Sequence, residues 1–376
     1  MIYLDHNATT PLDPRVLAAM QPYFLEEFGN AASLQHAPGR RAAEAVERAR
    51  AQVAGLIGAD PREIVFVSGA TESCNLALFG PALAPAYARK QRHVVTVATE
   101  HPAVLDSCRA LERRGFRVTV LPVDGEGRLD LDRLDAVVTP ETLLVSVMHA
   151  NNETGLIHPI EEIGRRVRER GVLFHTDATQ SFGKLSIDVN GQNLDLLSCS
   201  AHKLHGPKGV GALYVRRKGP RVRLDPLIYG GGHERGRRSG TLNVPGIVGF
   251  GAAAEICAEE QTAEQARIGD LRDRLEARLL ASPGARRNGA REPRLPNTLN
   301  VSLGTHDAGD LMQKLPALAI ATASACTSAT LQPSHVLGAM RLDEARIRSS
   351  LRLSLGRFTT EQEIDQAATL LLQALT

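Results

Sequence analysis

The sequence has no surplus of charge: 44 lysines and arginines stand against 42 aspartates and glutamates, a formal net charge of +2. That balance gives no reason to expect nucleic acid or a membrane surface as the main partner and points to a small molecule. No apolar stretch approaches the roughly 20 residues needed to span a bilayer. The longest candidate, Pro245 to Ala258, is rich in glycine and alanine, contains Glu255, and reads as a buried helix. The start, Met1-Ile2-Tyr3-Leu4-Asp5-His6, has neither the basic opening nor the apolar run of a secretion signal. Five cysteines (Cys74, Cys108, Cys199, Cys257, Cys326) are odd in number and widely spaced, which argues against a disulfide framework. They are expected to be reduced, in a cytoplasmic protein. The twelve histidines show no tight ligand spacing with cysteines or acids, so no metal site is expected. Internal repeats and low-complexity tracts are missing too. Gly230-Gly231-Gly232-His233 does not fit the strand-GxGxxG-helix context of a dinucleotide site.

What is present reads as an α/β protein. At 376 residues the chain exceeds the usual limit of a single core. Between residues 40 and 250, helical and strand patterns alternate. Arg40 to Ile57 has apolar positions at helical spacing. Glu63–Ser68, Val94–Ala98, Arg117–Leu121, Leu143–Met148, Val172–Thr176, Leu194–Cys199 and Gly211–Val215 are short apolar or β-branched runs. Strands spaced by helices predict a largely parallel central sheet flanked by helices. After residue 256 the texture changes to a charged helix, Ala263–Leu280, with strands near Thr298–Ser302 and Ile347–Ser354, a separate α+β lobe. The expected division is a large domain over 15–255 and a small domain formed by 1–14 and 256–376.

The strand ends carry the information, because ligands of open α/β sheets collect beyond the carboxyl ends of the strands. Polar clusters stand at five of them: Ser68 to Ser73, Glu100-His101, His149 to Glu153, Asp177 to Gln180, and Ser200 to Lys203. Five in succession predict one shared cleft. An isolated Lys203 would be an ordinary solvated lysine, but a lysine amine in a suitable site forms a Schiff base with a carbonyl. Asp177 could simply cap a turn; beside a lysine it is also the carboxylate that pyridoxal phosphate needs to keep its ring nitrogen protonated. Ser68-Gly69-Ala70-Thr71 is either a capped turn or a phosphate cradle of free backbone N–H groups at a helix start. His101 is a structural histidine if taken alone, and a proton shuttle if it faces a cofactor. Cys326 lies in the small, polar stretch Ser324 to Thr330, where a thiol is a hazard unless it is used. The other four cysteines suit buried positions on helices or a strand.

Together these segments resemble the cysteine desulfurases of the class V aminotransferase-like, fold type I pyridoxal-phosphate enzymes, and the likeness runs almost end to end. It is carried by Tyr3 to Pro11, Ser68 to Ser73, Thr99-Glu100-His101, Asn151 to Gly155, His175 to Ser181, Ser200 to Lys203, Arg238 to Thr241, Ser324 to His335 and Arg352 to Phe358. The resemblance implies that Lys203 holds pyridoxal 5'-phosphate, Asp177 pairs with its ring nitrogen, Gln180 with its ring hydroxyl, and His101 stacks on the ring. It implies a phosphate site of Ala70, Thr71, Ser200 and His202, joined by Thr241 from the neighbouring subunit of a homodimer. Asn152 and Arg352 would orient the substrate, L-cysteine. Cys326, in a loop like that of the longer-loop subgroup, would accept its sulfur for onward transfer to an acceptor protein such as an iron–sulfur scaffold or a thiolation enzyme. Ala31 and Ala323 depart from the family's usual proline and glycine, and the chain ends soon after Phe358, without the tail some relatives use to meet a scaffold. A related selenocysteine lyase or aminotransferase shares Lys203 and Asp177, and only Cys326 and its loop favour desulfuration. A sulfur carrier that had lost the chemistry would have no need of Lys203, Asp177, Gln180 and His101 together.

Overall fold

A computed structural model describes residues 1–87, 92–322 and 333–375. Seven strands form the central sheet, in the spatial order Ile64–Val67, Gly211–Val215, Leu196–Ser200, Leu173–Asp177, Thr142–Ser146, His93–Val97 and Arg117–Leu121. Gly211–Val215 runs antiparallel to both neighbours; every other pairing is parallel. The seven strands predicted for this sheet all form, within a residue or two of the expected bounds; the later run expected from Ile347 becomes a strand only at Ser350, because Glu344–Arg348 is helical. Their near-continuous apolar runs reflect a sheet covered on both faces: apart from the edge strand Arg117–Leu121, each is buried along its whole length.

The covering helices are amphipathic. Helix Ile160–Glu169 buries Ile160, Ile163, Gly164 and Val167 at helical spacing. Helix Ala37–Gly55 buries Ala42, Ala45, Val46, Ala49 and Val53, and packs closely on helix Val244–Leu280. At Gly251 a Cβ would lie 2.6 Å from the Ala49 Cα, so only glycine permits that approach.

The two helical readings at 245–258 and 263–280 are one continuous helix of 37 residues, Val244–Leu280. Its first part, Val244 to Cys257, belongs to the core under the central sheet. Its last part, Ile268 to Leu279, belongs to a second core with Ile2, Leu4, Leu299, Leu353 and Leu371. The second core is floored by a four-stranded antiparallel sheet in the order Ala321–Thr322, Ser350–Ser354, Thr298–Leu303, Ala285–Arg287. Val336, Leu337 and Met340 return to the first core. Among the described residues no helix is long and apolar enough to cross a membrane, and no cluster of three or more histidine, cysteine or acidic side chains could hold a metal ion.

Candidate active site

All five polar clusters open onto one cavity of about 470 Å³, lined by Ser68 to Glu72, His101, Met148, Ala150, Asn152, Asp177, Thr179, Gln180, Ser200, His202 and Lys203. The predicted shared cleft is thus present, at the carboxyl ends of the parallel strands. Glu100 is the exception within its cluster. It turns inward, where Oε1 accepts from the Met148 amide at 2.5 Å, and burial, reinforced by Asp177, raises its pKa well above the carboxylate range.

Strand Ile64–Val67 runs through Gly69 into helix Ala70–Leu83. Gly69 adopts φ of 154°, a conformation glycine tolerates and other residues disfavour. Gly211 makes the crossing beneath it possible, since a Cβ there would sit 2.8 Å from the Gly69 Cα. The first helical bond at this end runs from the Ser73 amide to the Gly69 carbonyl at 3.0 Å, so the amides of Ala70, Thr71 and Glu72 have no acceptor within the helix. Glu72 secures this end: it accepts from the Ser68 amide at 2.7 Å and from Arg238 at 2.9 Å.

Lys203 follows strand Leu196–Ser200 in a short 3-10 turn. Its Nζ donates to the carbonyls of Asn7 and Ala8 at 2.5 and 2.7 Å. Those carbonyls are held by Asn7 itself, whose side-chain Nδ2 donates to the Asn152 carbonyl (3.1 Å) and Thr298 Oγ1 (2.9 Å), while its Oδ1 accepts from Asn297 (3.0 Å). His202 lies within 3.1 Å of Thr9 Oγ1; burial, with Lys203 and Lys208, brings it down to about 4, so it is neutral at physiological pH. Asp177 ends its strand almost fully buried, with one oxygen accepting from the Thr179 amide at 2.9 Å. Asp177 is thus both a turn residue and a carboxylate in the cavity wall. Gln180 donates from Nε2 to the Asn7 carbonyl at 3.0 Å.

His101 starts helix Pro102–Glu112, with Nδ1 accepting from the Ala103 amide at 3.1 Å. That contact assigns the ring proton to Nε2 in the neutral form. Burial lowers its pKa, Asp177 opposes, and Lys203 and His335 add to the lowering. Arg352 stands behind the wall rather than in the lining. It is 1 % exposed; its Nη2 donates to Asp5 Oδ1 at 2.7 Å and its Nη1 to the Asn152 carbonyl at 3.2 Å, while Nε has no partner among the described residues. Thr241 is exposed and outside the lining of this single chain. Cys326 lies outside the described residues. Cys74, Cys108, Cys199 and Cys257 are buried and free, as expected.

Sequence reasoning missed the contribution of Asn7, Ala8 and Thr9 as a wall of the site. Tyr3 to Pro11 was visible as a motif, but the atoms that reach Lys203 are backbone carbonyls, which no residue type announces. Glu153, expected only as a member of its polar cluster, is not in the cavity lining: it accepts from Ser334 at 2.5 Å and is lifted to about 7 by burial, against Ser334 and Arg352.

The residues present fit pyridoxal phosphate. A helix start with spare amides suits a phosphate, a buried carboxylate suits a pyridinium, and a lysine amine shares the same cavity. Thr179 Oγ1, in the lining, has no partner among the described residues.

The class-V aminotransferase family model matches residues 2–367. The chain is 58% identical over 373 residues to the cysteine desulfurase IscS of Anaeromyxobacter sp. (strain Fw109-5), covering 99% of this chain and 92% of that protein. Among solved structures, a NifS-like protein superposes with a TM-score of 0.91 at 40% identity, covering 100% of this chain and 98% of the other. SspA in complex with cysteine gives 0.83 at 38% identity, covering 96% and 100%. The chain belongs to the pyridoxal-phosphate-dependent class-V aminotransferase family and, within it, to the cysteine desulfurases.

Proposed function

We propose that this enzyme takes sulfur from L-cysteine by way of Cys326: L-cysteine and the Cys326 thiol give L-alanine and a Cys326 persulfide, which passes its outer sulfur to an acceptor. The observation that carries the reading is the convergence of Lys203, Asp177, His101 and the Ala70 helix start on one cavity. Pyridoxal phosphate, when bound, supplies an electron-withdrawing ring that stabilises negative charge next to the substrate's α-carbon. Ala70, Thr71, Ser200 and His202 hold its phosphate, Asp177 its ring nitrogen and Gln180 its ring oxygen. Lys203 would anchor it, and the same amine would take the proton from the substrate's α-carbon. Asn152 and Arg352 orient the substrate carboxylate, Arg352 through a planar fork of donors. His101, with Nδ1 committed to Ala103, offers Nε2–H as the proton donor. The Cys326 thiolate attacks the substrate sulfur, the bond from sulfur to the β-carbon breaks with its electron pair left on the carbon side, the β-carbon gains the proton that the Cys326 thiol gave up, and the α-carbon regains its own.

The finer assignments belong to the same proposal. Thr241 completes the phosphate site of the partner subunit in a homodimer, which suits its exposure. The acceptor is an iron–sulfur scaffold or a thiolation protein, and the enzyme is cytoplasmic. The chain divides into a large domain, 15–255, and a small one, 1–14 with 256–376. The separate cores on either side of Cys257 and Ile268 support that division.

The test is alanine and sulfide release from L-cysteine with a thiol reductant, comparing wild type with cofactor-loaded Cys326→Ala. Product from the wild type alone supports transfer through Cys326. Equal product from both would replace it with a direct elimination lyase.

A further inference from the structure

Behind the cofactor cavity lies a second, small one of about 30 Å³, and Lys203 lines both. Lys184 also lines it, one turn after Gln180. Lys184 Nζ donates to the Gln180 carbonyl at 3.1 Å and to Gln180 Oε1 at 3.4 Å. On the other side of the same amide, Gln180 Nε2 donates to the Asn7 carbonyl at 3.0 Å, the oxygen that also accepts from Lys203 at 2.5 Å. The side-chain amide is therefore specified at both ends. Turned over, it would set Oε1 against the Asn7 carbonyl and its N–H groups against an amine.

We infer that Lys184 is a positioning residue for the reaction, fixing the Gln180 amide so that its NH₂ group faces the Asn7 carbonyl and the cofactor cavity. An amide NH₂ has two hydrogens; the Asn7 carbonyl takes one, and the second is offered to the cavity. Gln180 then meets the cofactor as a donor and stabilises negative charge on its ring oxygen. This inference rests on the pyridoxal-phosphate reading of the cavity.

The charged and titratable groups around Lys184 come from several elements. Lys203, His202 and His205 face it from the segment after strand Leu196–Ser200, His6 from the N-terminal segment, and Cys257 and Glu264 from helix Val244–Leu280. Arg357 lines the same cavity and is bound to Glu264 at 2.8 Å. Burial, with Lys203, brings Lys184 down to about 7, against Glu264 and Cys257.

The experiment titrates the visible absorbance of the bound cofactor with pH in the holoenzymes of wild type, Lys184→Met, Gln180→Ala and the double variant. Without an oriented donor the chromophore keeps its proton to higher pH, so Lys184→Met moves the midpoint up, by on the order of one pH unit. In the Gln180→Ala background the same substitution moves it far less. An equal shift in both backgrounds overturns the proposal, because Lys184 would then act on Lys203 by charge alone; no shift in either overturns it too. Circular dichroism monitors folding, and Lys184→Leu replaces Lys184→Met if the latter does not fold. A wild type with no cofactor absorbance would instead remove the reading on which the inference rests.

Discussion

Arg352 and Asp5, 347 residues apart in sequence, meet at 2.7 Å behind the wall of the active site. The pair holds a fully buried guanidinium in one orientation, with the Asn152 carbonyl as its other acceptor. If this fork receives the substrate carboxylate, Arg352→Ala raises KM for L-cysteine by about ten- to a hundredfold, the worth of charge-assisted hydrogen bonds. Arg352→Lys does not restore it, since a point charge lacks the fork. Steady-state alanine release measures both, and an unchanged KM in Arg352→Ala would remove Arg352 from the substrate site.

Lys203→Ala is expected to abolish the visible absorbance of the purified protein while leaving its circular dichroism intact. Lys203 donates to two backbone carbonyls at the site, and the Asn7 side chain keeps those carbonyls in place without it. A folded variant that retained the wild-type spectrum would show that the cofactor is bound elsewhere.

Acid should destabilise the protein well before its exposed carboxylates titrate. Burial holds His149, His158 and His175 at about 4, against the ordinary 6.5. Between those values the unfolded chain binds protons that the folded chain does not. Stability from these groups is therefore complete above 6.5 and is lost as pH falls towards 4, at up to about 1.4 kcal/mol per pH unit for each histidine. His175, bonded to Ser146 and Ser198 across three strands, offers the cleanest check: His175→Gln is expected to flatten the fall in urea midpoint between about pH 7 and about pH 5.

Glu234 anchors the loop that leads to Thr241. It accepts from Arg50 at 2.7 and 2.8 Å and from the Phe66 amide at 2.8 Å, with both side chains of the ion pair buried. Glu234→Ala leaves the buried Arg50 guanidinium with the exposed Glu47 as its remaining acid partner and is expected to cost up to about 3–5 kcal/mol in urea unfolding. Arg50→Met combined with Glu234→Leu should recover much of that loss, because it removes the stranded charge.

The legible and illegible parts of this molecule separate by distance along the chain. Seven strands were readable because burial on both faces imposes continuous apolar runs, a local signal. The cleft was readable because each strand end carries its own polar cluster. Arg352 was assigned through resemblance, but its partner Asp5 was not, since nothing local links residues 5 and 352. Asn7 escaped because its peptide carbonyl is the working atom. Lys184 escaped because a lysine after Gly183 has no pattern. The continuity of helix Val244–Leu280 was lost where its apolar spacing lapses, between Cys257 and Ile268.

That lapse has a mechanical meaning. At 1.5 Å per residue the helix is a shaft of about 55 Å, and no residue from Ala258 to Arg267 is buried. One end is seated in the core beneath Lys203, the other in the core beneath Arg352. The spacing between the elements that carry Lys203 and Arg352 is thereby shared between this shaft and direct ties such as the Arg352 bond to the Asn152 carbonyl. Its middle section is braced by charge rather than by apolar packing, Glu260 against Arg15 and Glu264 against Arg357, so salt and pH reach the shaft where the cores do not.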